Sequence, residues 1–158
     1  MIDIQIDVSD FTELEEELEA FGKKLDLSSQ ILSEVATDQL ARIKTRTLAG
    51  KSFEGDPFDP YSDSYSAFRT KKGRATDKVD LFFSGHMFGA MDYEIIDDGV
   101  RLYFNDVLQA AKAHGLYYGY IPNQLPARPF FELSADDEVK IQKQIDDAVN
   151  EIRGIYFS

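Results

Sequence analysis

The stretch Tyr93-Glu94-Ile95-Ile96-Asp97-Asp98-Gly99-Val100-Arg101-Leu102-Tyr103-Phe104 decides the fold. Tyr93 and Ile95 alternate with Glu94, and Val100, Leu102 and Phe104 alternate with Arg101 and Tyr103. Period two on both sides of Asp97-Asp98-Gly99 predicts two half-buried strands joined by a tight hairpin turn. Upstream, Ile2, Ile4, Ile6 and Val8 share one face of residues 2–8, with Asp3, Gln5 and Asp7 on the other, so a further strand is expected there. Ser9 or Asp10 can cap a helix carrying Phe11, Leu14, Leu18 and Phe21, which Gly22 would stop. A second helix is expected from Ser28 or Ser29 to about Thr47, with Ile31, Leu32, Val35, Leu40 and Ile43 as its apolar stripe. Downstream, residues 107–114 read as a short helical or extended connection. Ser134 and Asp137 open a final helix with Val139, Ile141, Ile145, Val149 and Ile152 on its buried side. The expectation is one α+β domain over 1–158: an antiparallel sheet with a β-hairpin, packed by N-terminal helices and a C-terminal helix.

Composition bounds the function. The 158 residues carry a net charge of −12, with 43% hydrophobic and 13% aromatic residues, which are globular values. There is no cysteine, hence no disulfide, thiolate metal site or cysteine nucleophile. The first twenty residues lack the pattern of a signal peptide, and no apolar run approaches membrane-spanning length. A soluble, acidic domain made inside the cell is expected.

The charge is segregated. Residues 1–26 hold nine acids and two bases, and residues 134–151 hold six acids and two bases. Residues 42–78 hold nine bases and five acids. Opposite patches on one surface favour contact between copies of the chain, although solvated helix faces flanking a polar loop give the same pattern. The acidic total argues against broad nucleic-acid binding.

Residues 50–80 are rich in Ser, Asp, Lys and Arg and are interrupted by Gly50, Gly55, Pro57, Pro60 and Gly73. A long central loop, mobile over about 51–78, is expected, with Tyr61, Tyr65 and Phe68 forming at most a helical turn within it. Leu81-Phe82-Phe83 and Met87-Phe88 around Gly85 then predict a short helix leading into a strand.

Catalytic chemistry finds little support. His86, expected to be a partly buried packing residue, and His114, expected at a turn before Gly115, stand in no metal-ligand spacing. Ser62, Ser64 and Ser66 lack a nucleophile elbow. Asp97-Asp98 is explained by the turn. No enzyme, cofactor or metal is expected.

Three segments carry a resemblance. They are Arg46-Thr47-Leu48-Ala49-Gly50 with Gly55-Asp56-Pro57-Phe58-Asp59-Pro60-Tyr61-Ser62, then Val79-Asp80-Leu81-Phe82-Phe83-Ser84-Gly85-His86-Met87, then Pro126-Ala127-Arg128-Pro129-Phe130-Phe131. Together with Ala110-Ala111-Lys112-Ala113-His114, their order and spacing over roughly residues 43–145 resemble the phage virion morphogenesis (tail completion) family of tailed bacteriophages and prophages. Pro126-Ala127-Arg128-Pro129-Phe130 is the most specific piece. The chain departs at His86, where the family usually has Arg, and at Gly115, where Gln is common. The resemblance implies a non-enzymatic virion protein of the tail or neck, assembled in the host cytoplasm, that completes the tail or joins it to the head by forming a ring. Six subunits would match a six-fold tail. Its partners would be its own copies, the tail tube or sheath and head–tail connector proteins, with no membrane and no sequence-specific nucleic acid.

Candidate interface residues follow. Pro57, Phe58, Pro60 and Tyr61 sit in a loop that needs partners, and Arg69, Lys71, Lys72 and Arg74 form its basic core. Arg128, Phe130 and Phe131 lie in a segment stiffened by Pro126 and Pro129. They either anchor a neighbour or stay at home, the phenylalanines covering the sheet while Arg128 caps carbonyls of its own subunit. In an extended segment adjacent phenylalanines point to opposite faces, so at most one is expected in the core. Two other readings are weighed: an acidic DNA mimic inhibiting a nucleic-acid enzyme, which the basic island spoils, and a small hydrolase, which lacks a nucleophile.

Overall fold

A computed structural model describes residues 2–8, 13, 14, 16, 17, 19, 27–97 and 99–157. The expected hairpin forms from β2 (Met91–Ile96) and β3 (Gly99–Phe104), in the register Met91 to Phe104, Tyr93 to Leu102 and Ile95 to Val100. The N-terminal strand β1 (Ile4–Asp7) pairs antiparallel with the far edge of β3, Ile4 opposite Leu102 and Ile6 opposite Val100. Sheet order is therefore β1-β3-β2, and β3 is central. Its alternation does the sorting. Val100, Leu102 and Phe104 are buried with Ile4 and Ile6. On the opposite face Arg101 pairs with Glu94 at 2.7 Å and Asp3 at 3.7 Å. One dry face and one wet face are usual for an antiparallel sheet. Gly99 is required by crowding, because a Cβ there would stand 1.8 Å from the carbonyl oxygen of Ile6.

Helix α1 (Leu27–Leu48) packs on β2, β3 and the last helix. Leu32, Val35, Ala36, Leu40 and Ile43 are buried, as the periodicity predicts, and Gln39 and Thr47 share their stripe. Glu13, Leu14, Glu16, Glu17 and Glu19 are helical and Leu14 is buried; Phe11, Leu18, Phe21 and Gly22 lie outside the described residues. The turn residue Asp98 does too.

The expectations for the central loop, the 107–114 connection and the two histidines change. The segment 51–78 is not one long loop. It contains a Lys51–Pro57 bridge and helix α2 (Asp63–Lys71), whose first turn is capped by Ser62 accepting from the Tyr65 amide. Phe58 anchors it in the core, and buried arginines described below supply the rest. After the short α3 (His86–Gly89) and the hairpin, α4 runs from Val107 to Tyr118, straight through His114 and Gly115, with Asp106 accepting from the Gln109 amide as its cap. His114 is therefore mid-helix, exposed, with its ring 4.7 Å from that of Tyr118, and His86 is exposed rather than packed. Gly119, at φ +77°, then turns the chain into a 3-10 turn at Ile121–Asn123.

The last helix, α5 (Ala135–Phe157), starts on a reciprocal box: the Ser134 hydroxyl accepts from the Asp137 amide at 2.9 Å, and the Asp137 carboxylate accepts from the Ser134 amide at 3.0 Å. Ile141, Ile145, Val149 and Ile152 are buried as expected, but Val139 is exposed. Asp137, not Val139, occupies the inward position one turn before Ile141.

Candidate functional site

The motif segments converge through three arginines. At the end of α1, Arg46 donates to the Asp137 carboxylate and to the carbonyls of Glu132 and, at 3.4 Å, Phe130. Arg42 lies 3.4 Å from the other Asp137 oxygen. Burial pushes the Asp137 carboxyl up, but the Ser134 amide, the Gln39 side chain and Arg46 together outweigh it and hold the group below the ordinary aspartate range.

Arg69, in the last turn of α2, is 1% exposed. It donates to the Ala75 carbonyl at 2.9 Å, the Asp80 carboxylate at 3.1 Å and the Phe82 carbonyl at 3.1 Å. One guanidinium thus ties α2 to residues 75–82. Its five-donor fork is suited to such clamping, which a lysine ammonium would not reproduce.

Arg128 is 2% exposed and donates to the carbonyls of Asp59 at 3.2 and 3.3 Å and of Pro60 at 3.2 Å. No carboxylate among the described residues pairs with it, and burial lowers its pKa. The Tyr61 ring is shared by both clamps, 4.7 Å from the Arg69 guanidinium carbon and 5.3 Å from that of Arg128. The Tyr61 oxygen accepts from the Leu81 amide at 3.3 Å. Burial raises the Tyr61 pKa, partly opposed by the charge of Arg69. Beside this pair opens a cavity of about 410 Å³, bounded by Tyr61, Tyr65, Leu81, Leu116, Leu125 and Arg128.

Phe130 and Phe131 are 0% and 1% exposed, both against Phe104, with ring centroids 6.4 and 4.7 Å away. The expectation that one must lie outside the core is thus corrected. The chain bends at residues 131–132, so strand alternation does not apply. The Lys51–Phe58 turn also reaches the segment, the Phe53 amide donating to the Pro129 carbonyl at 3.1 Å.

The candidate interface residues therefore divide. Phe58, Arg69, Arg128, Phe130 and Phe131 are interior, and their assignment as surface contacts is corrected. Each has found packing or carbonyl acceptors within its own subunit. Tyr61 is half-buried between the arginines. Pro57, Pro60, Lys71, Lys72 and Arg74 are exposed. Lys72 and Arg74 lie over Phe68 and Phe83, two stacked rings 5.7 Å apart.

Sequence reasoning missed a group of strongly exposed apolar side chains at the ends of one helix. Val107 and Leu108 are 84% and 78% exposed, Ile121 is 92% exposed, and Tyr118 and Tyr120 are also exposed. The buried positions of α4 are Ala110 and Ala113, and Leu116 packs partly against the core, whereas Val107 and Leu108 in the first turn stand in solvent. The signal was present for Leu108, which lies about 160° around the helix from Ala110, whereas Val107 stands three residues before Ala110 and is exposed because it opens the first turn. Beside them a groove of about 540 Å³ runs between β3 and α4, lined by Arg101, Tyr103, Phe104, Val107, Ala110 and His114.

Among the described residues no group of three potential ligands is placed to hold a metal ion, and no helix is long and apolar enough to cross a membrane. Comparison of the chain with protein-family models, curated proteins and solved structures gives no match.

Proposed function

We propose that this chain is a non-enzymatic virion protein that forms a ring of identical subunits and completes a phage tail or joins tail to head. The order of the Arg46-Thr47, Gly55-to-Ser62, Val79-to-Met87 and Pro126-to-Phe131 segments supports the tail assignment. The observation that carries the assembly reading is the exposure of large apolar side chains at both ends of α4 and in the turn after it, Val107 and Leu108 at the start and Tyr118, Tyr120 and Ile121 at the end. Exposed apolar residues that group together mark contacts, whereas single ones do not.

In this reading α4 and the turn after it are the hydrophobic centre of a subunit contact. Lys71, Lys72 and Arg74 supply its cationic rim and face acidic helices of the next copy. A contact between unlike patches is heterologous, and it closes into a ring when its rotation permits. The buried clamps act as scaffold: Arg46, Arg69 and Arg128 hold the motif segments in place.

The test is assembly in the host. Particles made with Leu108→Asp should lack functional tails or accumulate unjoined heads and tails under the electron microscope, while the purified variant keeps the wild-type melting temperature. Normal infectious particles from Leu108→Asp and from the triple reversal Lys71→Glu, Lys72→Glu, Arg74→Glu would refute the reading.

A further inference from the structure

The cavity beside Tyr61 holds an unmatched charge. Arg128 spends its Nε and one terminal nitrogen on the Asp59 and Pro60 carbonyls, and its second terminal nitrogen has no hydrogen-bond partner among the described residues. Arg69, the other buried cation of the cavity, is matched by Asp80. Lys112, also lining the cavity, is exposed and pairs with no acid among the described residues. The remaining walls are mostly carbon, from Tyr65, Leu81, Phe83, Leu116, Leu125 and Pro126.

A buried cation without a counter-ion is costly, and a ligand that supplies one recovers that cost. We propose that this cavity binds a carboxylate carried on an apolar or aromatic body, the carboxylate meeting the free side of Arg128 with Lys112 at the rim and the body lying against Tyr65, Leu116 and Leu125. A guanidinium edge matches the plane of a carboxylate. One buried cation suits a monoanion; the exposed Lys112 at the rim is screened by water, and Asp80 already holds Arg69, so no second desolvated cation awaits a phosphate dianion. At about 410 Å³ the space lies within the range of small-ligand pockets, roughly 300–1,000 Å³. The proposal does not depend on ring formation.

The test uses 3-phenylpropionate, its neutral isostere 3-phenylpropionamide, phenyl phosphate and the capped dipeptide acetyl-Phe-Glu-amide, titrated into the full chain by calorimetry and amide NMR at pH 7. The expected result is saturable binding of a carboxylate probe, with shifts centred on Tyr61, Tyr65, Leu116, Leu125 and Arg128. The amide should bind at least about tenfold more weakly, the worth of one charge-assisted hydrogen bond. Tighter binding of the dipeptide assigns the carboxylate to a polypeptide side chain, and tighter binding of 3-phenylpropionate to a free acid; either supports the site. Arg128→Gln should abolish binding. Because that variant also loosens the Asp59–Pro60 loop, Lys112→Ala is measured beside it, with about threefold weaker binding and an unchanged melting temperature expected. Equal affinity for acid and amide, tighter binding of phenyl phosphate, scattered or absent shifts, or undiminished binding by both variants would overturn the proposal.

Discussion

Replacing Asp137 isolates the joint between α1, α5 and the Pro126–Phe131 segment. Its carboxylate is 3% exposed, accepts from the Ser134 amide, and meets Arg46 and Arg42. Removing one member of a fully buried ion pair costs about 3–5 kcal/mol. Arg46 and Arg42 keep 16% and 24% of their side-chain surface in water, so they are partly rehydrated and about 2–4 kcal/mol is expected for Asp137→Ala. Asp137→Asn retains an acceptor for the Ser134 amide and should be milder by about 1 kcal/mol, the usual worth of a cap. At about 2–4 °C per kcal/mol for a chain of this size, Asp137→Ala should melt about 4–16 °C below wild type.

Urea unfolding at several pH values adds a sign. The folded carboxyl titrates below its unfolded value of about 3.9, so its contribution is complete above that value and is lost as pH falls through the lower folded one. The gap between wild type and Asp137→Asn should therefore be constant from pH 6 to 8 and close below about pH 4. A gap under about 0.5 kcal/mol at pH 7, or one that widens in acid, would show that the joint does not hold α5 in place.

Three further outcomes are expected. Gly99→Ala should expel β1 from β3, since the new Cβ would overlap the Ile6 carbonyl; loss of amide protection at Ile4 and Ile6 checks it, and a wild-type exchange pattern contradicts it. Phe130→Ala and Phe131→Ala should each lower stability by about 3–5 kcal/mol in urea, where an extended surface segment would have spared one of them. Arg69→Met should leave the partly buried Asp80 without its partner, releasing residues 72–82 to fast hydrogen exchange while the sheet amides stay protected; unchanged exchange there would refute the clamp.

The strands, α1 and α5 were legible because their apolar residues repeat at the period of the element and because Asp97-Asp98-Gly99 and Ser134-to-Asp137 are local signals. Residues 51–78 were not. Beside Phe58, their anchor is Arg69, and nothing in the local sequence tells a clamping arginine from a solvated one; its acceptors, Asp80 and the Phe82 carbonyl, are supplied 11 and 13 residues later. Val139 was misplaced because hydropathy assigned it a position that Asp137 takes instead, and a buried aspartate is credible only once Arg46 is known to meet it. The candidate site was half legible. The Pro126–Phe131 segment stood out, but as a surface, whereas its bend puts both phenylalanines inside. The exposed face of α4 went unread because residues 107–114 did not read as a full helix, and without a helix no face exists.

Self-association through α4 and the turn after it is the central claim, and the mass of the purified chain in solution tests it most directly. Size-exclusion chromatography with light scattering, run across a wide concentration range, should give one species of six times the 17.9 kDa subunit. Val107→Asp with Leu108→Asp should give a folded species of one subunit's mass, because two carboxylates cannot be buried at an apolar contact. A wild-type mass of 17.9 kDa at every concentration, or a multimer that survives both substitutions intact, would contradict the account.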